Sequence, residues 1–442
     1  MLEWIYRLLA LLAVPGALAR HWIKGVRQPE YRERTRERLG ISPTPIPTGS
    51  LWFHCVSVGE TVAAAPLIEA SLQRFGQVPV LVTTTTPAGS AEVGRRFGTS
   101  VHHCYAPYDA TFAVRRFLRR TSPVGLVLVE TELWPNLLRE TTSRGIPAWL
   151  VNARLSERSA KGYRSLGVMG RNMVRALRGI ASQYEDTATR LLDLGAEPSR
   201  VAVTGSTKFD VRLPIAASAR NRALRQRWSG RRSCWIAAST HAAEEPILLR
   251  AHRELLGLGE HVALILAPRH AHRASGIRAA CQRMGLEVRL YSEGPHPESE
   301  PDVIVVDVMG KLMDLYPLAD VAFIGGSLDA TGGHNPIEAA VHRLPLLAGP
   351  ERRNFAEVCR RFEEAGALRL ITGASELKQE LRKLLNSPQQ RSEMGKFAER
   401  VVERNRGAAG RTVELLQRWL EDAGIASSRQ GGPPGPPKSC IG

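Results

Sequence analysis

The sequence predicts an α/β protein made of two doubly wound domains in series. From Leu51 onward, short apolar runs alternate with helix-like segments. That rhythm implies right-handed βαβ units on a parallel sheet covered on both faces. The rhythm fades over residues 211–223 and then resumes, which marks a boundary near residue 213. The chain has 442 residues, of which 43% are hydrophobic. That is too long for one ordinary domain and apolar enough for two real cores.

The first element is an apolar stretch within residues 1–25, "WIYRLLALLAVPGALA" (Trp4 to Ala19), interrupted by Arg7 and Pro15. It falls short of the roughly 20 apolar residues of a spanning helix. "ALA" before Arg20 also resembles a signal-peptidase site. Lys24, Arg27, Arg32, Arg34, Arg36 and Arg38 follow closely. Basic residues after an apolar segment keep that side in the cytoplasm, so the reading is an uncleaved membrane anchor, spanning or interfacial.

Residues 26–212 are expected to form the first domain. "PEYRERTRERLG" is a basic, helix-like stretch, and "SPTPIPTGS" then breaks any helix with its prolines and glycine. Strands are expected at "LWFHCV", "PVLVTTT", "GLVLVE", "IPAWLV" and "RVAVTG", with helices over residues 61–75 and 133–144. Residues 213–425 are expected to form the second domain. Its strands are "SCWIAAS", "HVALILAP", "LEVRLY", "DVIVVD", "DVAFIGG" and "LPLLAG". The Pro/Gly-rich residues 426–442 are expected to be disordered.

Sixty Lys+Arg against 43 Asp+Glu give a formal charge of +17. This balance suggests nucleic acid, anionic lipid or a phosphorylated substrate, although a solvated basic surface produces it too. The cysteines (Cys55, Cys104, Cys234, Cys281, Cys359 and Cys440) form no C-x-x-C pair. There is no zinc spacing and no disulfide framework, which fits a reducing compartment.

Two doubly wound domains bind ligand in the cleft between them, at the C-terminal ends of strands. The unusual polar residues lie there in both halves. Glu60 opens a small-residue helix in "SVGETVAAAP". It either complements the helix dipole or acts as a general base that deprotonates a hydroxyl. Glu130 and Glu132 follow a strand in "ETELWPN" and face one side if the strand continues; one of them capping the next helix is the plainer alternative. Lys208 in "GSTKFD" either neutralises a phosphate leaving group or is a surface lysine. In the second half, Pro268 and Arg269 end a very apolar strand, and the Arg fork suits a phosphate. In "GGHNPIEAA", Pro336 fits a first helical turn with Asn335 as N-cap, and Glu338 is placed to accept from ribose hydroxyls. His241, His270, His272 and His334 are scattered along the chain, and no metal cluster is expected.

Together, "HCVSVGETVAAAPLI", "TTTTPAGS", "ETELWPNLL", "NARLSERSAKGY", "VTGSTKFD", "STHAAEE", "APRH", "GGSL" and "GGHNPIEAA" resemble, in order and spacing, the bacterial lipid A Kdo (3-deoxy-D-manno-octulosonic acid) transferases. The resemblance covers roughly residues 1–420. It implies a GT-B glycosyltransferase with two Rossmann-like domains, which binds the donor CMP-Kdo mainly in its C-terminal domain. The implied acceptor is a phosphorylated, tetra-acylated lipid A precursor in the bacterial inner membrane, approached from the cytoplasmic side. It implies Glu60 as catalytic base, and Glu130 and Lys208 as stabilisers of the transition state. CMP contacts are implied at Pro268 and Arg269, at Met309, Gly310 and Lys311, and at Asn335, Pro336, Ile337 and Glu338. Several members of the family carry Glu at the position of Lys311, a change that a backbone contact survives.

CMP-Kdo offers one phosphodiester rather than a pyrophosphate and less charge leaves with CMP, so Lys, Arg and helix N-termini stand in for a metal, and no cofactor is expected. The anchor and a basic face are expected to meet the membrane surface, with no nucleic acid as partner. The rival readings are another two-domain sugar-nucleotide enzyme, such as a 2-epimerase, or a non-enzymatic polyanion-binding membrane protein.

Overall fold

The computed structural model describes residues 2–41, 45–211, 232–294 and 300–425. The boundary expected near residue 213 and the tail 426–442 lie outside the described residues. The chain forms two compact units. One holds residues up to Asp210 together with those from Arg406 onward; the other holds the residues between.

The first unit is built on seven parallel strands: β1 (Leu51–His54), β2 (Val80–Thr84), β3 (His102–Tyr105), β4 (Gly125–Val129), β5 (Ala148–Ala153), β6 (Gly179–Ser182) and β7 (Val201–Val203). Their spatial order is β3-β2-β1-β4-β5-β6-β7. The winding reverses between β1 and β4, and a doubly wound sheet opens its ligand crevice at such a point. The β1 and β4 side chains are buried on both faces, which explains their continuous apolar runs. Strands β3 and β6 escaped the sequence reading for opposite reasons. "HHCY" is half polar. "GIAS" is too small to look like a strand, because Gly179 lies under Trp419 and a Cβ there would sit 2.3 Å from the indole.

The second unit carries its own seven-stranded parallel sheet: β8 (Ser233–Thr240), β9 (Val262–Pro268), β10 (Val288–Leu290), β11 (Val303–Val305), β12 (Val321–Ile324), β13 (Leu346–Ala348) and β14 (Leu368–Leu370). The order is β10-β11-β9-β8-β12-β13-β14, so the reversal lies between β8 and β12. Trp52 and Trp149 fill the first core and Trp235 the second, all essentially without exposure.

The last helix, Ala408–Asp422, corrects the domain boundary expected at residue 425, because it packs on the first unit. Asp210 accepts from the Gly407 and Ala409 amides at 2.5 and 2.6 Å, capping this helix from the end of "GSTKFD". The Thr412 hydroxyl donates to that of Thr204 at 2.9 Å. Apolar periodicity shows that this segment is helical; it carries no information about which sheet receives it.

The N-terminal helix runs over Leu2–Lys24 and is long and apolar enough to cross a membrane. One face meets the loop after β3. Tyr6 donates to Asp109 at 2.7 Å, and His21 Nδ1 lies 2.8 Å from the Tyr108 hydroxyl. Trp4, Leu8, Leu9, Leu12, Trp22 and Ile23 are exposed on its remaining surface.

Candidate active site

In the first unit the polar strand-end residues converge at the β1/β4 switch point. Glu60 lies in the first turn of the helix Val58–Arg74. Ser57 caps that helix by accepting from the Glu60 amide at 3.2 Å. In return the carboxylate accepts from the Val56 amide at 2.5 Å and the Ser57 hydroxyl at 3.2 Å. Ser57 thus caps the helix, and Glu60 reaches back to the amide before the cap, so the structural role considered for Glu60 is realised. These contacts still leave lone pairs open on both oxygens. Glu60 is only 9% exposed. Burial, then repulsion from Glu132 and Glu130, pushes its pKa up to about 8, against the lowering by the Val56 and Ser57 hydrogen bonds. A carboxylate poised near the working pH suits general-base chemistry better than an ordinary cap does.

Glu130 follows β4 with φ of +60°, a left-handed conformation that is rare for a residue with a side chain. Its amide donates to Val151 at 3.1 Å, which holds the turn. Backbone strain of this kind concentrates at functional sites. Lys208 Nζ lies 3.0 Å from the Glu130 carboxylate, with each side chain about one-sixth exposed. Lys208 is therefore an ion-paired, largely enclosed lysine rather than a surface one. Its loop is fixed from two sides. The Thr207 hydroxyl donates to Ala63 of the Glu60 helix at 2.5 Å, and the Thr207 amide donates to Asn152 Oδ1 at 3.1 Å. Glu132 accepts from Trp134 Nε1 at 2.8 Å, and burial raises its pKa.

Asn152 was not singled out from the sequence. It is fully buried with φ of +50°, and it orients the lysine loop. A buried asparagine inside an apolar strand, "AWLVNA", was the available signal.

In the second unit the switch point is lined by backbone, arginine and imidazole. Pro268 ends β9, and the Arg269 amide donates to Thr240 at 2.9 Å, which brings the ends of β8 and β9 together. The four histidines, far apart in sequence, form a chain of rings here. His241 and His334 stack with their Nε2 atoms 2.9 Å apart, His270 meets His241 edge-on, and His272 stacks on His270. The scattered histidines are thus a cluster in space. Among the described residues, no group of three or more His, Cys, Asp or Glu side chains is arranged to hold a metal. Burial and the neighbouring His241 and Arg269 push His334 down to about 4, so its ring is neutral at neutral pH.

Gly325 follows β12 with the Ser239 carbonyl 2.6 Å from where a Cβ would stand, so only glycine fits. Asn335 accepts from the Ile337 amide at 3.1 Å and donates to Glu338 at 3.3 Å. The expected capping by Asn335 is present, but the helix Ile337–Ala340 is a single turn and starts one residue later, with Pro336 as its cap position. Met309, Gly310 and Lys311 follow β11 in an exposed turn. Met309 is 60% exposed, Gly310 has φ of +75°, and Lys311 stands 3.9 Å from Asp314. The chain then leads to buried Tyr316, whose hydroxyl is pushed up by burial and by Glu338.

A family model described as 3-deoxy-D-manno-octulosonic-acid transferase (kdotransferase) matches residues 33–211. The 3-deoxy-D-manno-octulosonic acid transferase of Haemophilus influenzae is 36% identical over 425 residues, covering 95% of this chain and 99% of that one. The Bordetella pertussis enzyme is 36% identical over 396 residues, covering 86% and 89%. The chain belongs to the 3-deoxy-D-manno-octulosonic acid transferase family. It is a glycosyltransferase. Among solved structures, UDP-GlcNAc 2-epimerase from Neisseria meningitidis superposes with a TM-score of 0.59 at 15% identity, over 84% of this chain and 100% of that one. At that identity the likeness shows the shared GT-B-type fold alone.

Proposed function

We propose that the protein transfers Kdo from CMP-Kdo to a sugar hydroxyl of a phosphorylated, tetra-acylated lipid A precursor, in lipopolysaccharide core biosynthesis. The setting of this reading is the cytoplasmic face of the bacterial inner membrane. One observation carries the catalytic assignment: a desolvated carboxylate, Glu60, held near a pKa of 8 beside Glu132 and the Glu130–Lys208 pair.

In this mechanism Glu60 takes the proton of the acceptor hydroxyl. The freed oxygen attacks the anomeric carbon of Kdo from the side opposite the nucleotide. The bond between that carbon and the phosphate oxygen breaks, its electron pair stays on CMP, and the configuration inverts. Lys208, kept in place by Glu130, offers positive charge where negative charge develops. Arg269, the Met309–Lys311 turn and the segment from Asn335 to Glu338 hold CMP. Replacing Glu60 by Gln keeps an acceptor for the Val56 amide and removes the base. The expected outcome is a loss of turnover of about 10²-fold or more, with CMP-Kdo affinity unchanged. Near-normal turnover would show that the base lies elsewhere. Mass analysis of the product separates Kdo transfer from epimerisation of a sugar nucleotide.

A further inference from the structure

We infer that a cavity beside the end of the N-terminal helix is a binding site for a phosphate group of the glycolipid acceptor. The inference rests on the reading above and deepens it. The cavity, of about 540 Å³, lies within the first unit. Arg20 and Lys24 reach it from the last turns of the helix, and Arg38 lines it from the basic segment that follows. No Asp or Glu is among its lining residues.

Arg38 decides the ligand class. It is only 2% exposed. Its Nη1 donates to the Thr85 carbonyl at 2.8 Å, and its guanidinium lies 4.0 Å from the centre of the Tyr105 ring. Its Nε and Nη2 are buried with no hydrogen-bond partner. These two atoms form the side-on fork that grips a phosphate or carboxylate with two parallel bonds. A buried cation with that edge unmet is strongly unfavourable unless an anion completes it. Phosphate fits the wider setting, since three cationic side chains exceed what one carboxylate needs.

The cavity also adjoins the proposed base. Thr85 lines it and donates its amide to Val56 at 3.1 Å, while the Val56 amide donates to Glu60 at 2.5 Å. Trp134 lines it as well and donates to Glu132, the strongest repulsive neighbour of Glu60. The cavity is thus joined to Glu60 through the Thr85–Val56 backbone and to its neighbour Glu132 through Trp134. The helix is fastened to the loop after β3 near both of its ends, through Tyr6 and His21, so it lies along the unit with its apolar surface outward. An amphiphile resting on that surface brings its anionic head to the cavity mouth.

The test uses the full chain in detergent micelles with CMP-Kdo and two acceptors, the bisphosphorylated tetra-acylated disaccharide and the same molecule stripped of phosphate. Wild-type kcat/KM is expected to fall at least about tenfold on phosphate removal. The variant Arg20→Ala/Lys24→Ala, altered at exposed positions, is expected to lose most of that preference through a raised acceptor KM, with the CMP-Kdo KM unchanged. Arg38→Lys, which keeps charge and bulk but lacks the fork, is expected to do the same. Inorganic phosphate that competes with acceptor in wild type but not in these variants supports a site that accepts phosphate by itself. Phosphate that fails to compete while the acceptor preference persists supports recognition of the headgroup within its lipid. Variants that keep the full preference overturn the inference. If wild type transfers no Kdo, the functional reading fails instead, and micelle binding of the two disaccharides without CMP-Kdo still tests the cavity.

Discussion

Two buried glutamates occupy comparable places in the two units and are satisfied to opposite degrees. Glu60 comes shortly after β1 and Glu244 shortly after β8, each the strand beside its sheet's switch point. Glu244 accepts from four backbone amides: His241 at 2.9 Å, Gly326 at 2.7 Å, Ser327 at 2.9 Å and Leu328 at 3.0 Å. Its oxygens are saturated, and it acts as a bolt joining the β8 and β12 loops. Glu60 accepts from one amide and one hydroxyl and faces two further carboxylates. Its charge is poorly satisfied, which leaves it able to take a proton. The same residue type at the same topological point is saturated or left poorly satisfied according to how many donors surround it, and the poorly satisfied one is the proposed base.

The largest expected effect tests the bolt. Glu244→Ala orphans four amides, three of them in the β12 loop, at a cost on the order of 4 kcal/mol. Thermal unfolding is expected to shift by roughly 10 °C. A variant that unfolds normally but turns over slowly would make Glu244 functional and erase the contrast.

Next in size is the pH dependence of turnover. As the proposed base, Glu60 acts only when deprotonated, and burial with carboxylate repulsion pushes its pKa up to about 8. The value of kcat/KM is therefore expected to rise with pH up to about 8 and then level, roughly tenfold per unit on the acid limb. A flat profile between about pH 6 and 9 would contradict a base of this pKa.

The smallest effect concerns stability and has the opposite sign to activity. A carboxyl with a raised folded pKa favours the folded state while both states hold the proton. It loses that contribution as pH rises from the unfolded value near 4.5 to the folded value of about 8. Glu60→Gln is therefore expected to unfold at a higher temperature than wild type at pH 8. The difference should vanish near pH 4. Equal melting at both pH values would show that Glu60 is well satisfied after all, like Glu244.

Much of this architecture was legible in the sequence. Strands such as "GLVLV" and "VALILAP" are apolar without a break because a parallel sheet is covered on both faces. The Ser57-x-x-Glu60 spacing marks a helix start, and "GGS" after β12 marks a close backbone approach. These signals are local, set by steric and hydrogen-bonding rules that act over a few residues. The candidate site was legible as separate polar punctuation after strands, and the family resemblance supplied the roles.

What the sequence alone determined, then, is the alternation of strands and helices, the two-sheet plan and the residues available at each strand end. Only the tertiary structure decided which of those residues meet. It paired Lys208 with Glu130 across 78 positions of chain. It gathered four histidines into one row, and it sent the last helix back to the first sheet. It also left Arg38 buried with an open fork. Each of these depends on burial and on distances between residues remote in the chain. Desolvation and charge–charge repulsion, which raise the pKa of Glu60 and underlie its proposed role as base, exist only once the chain has closed around it.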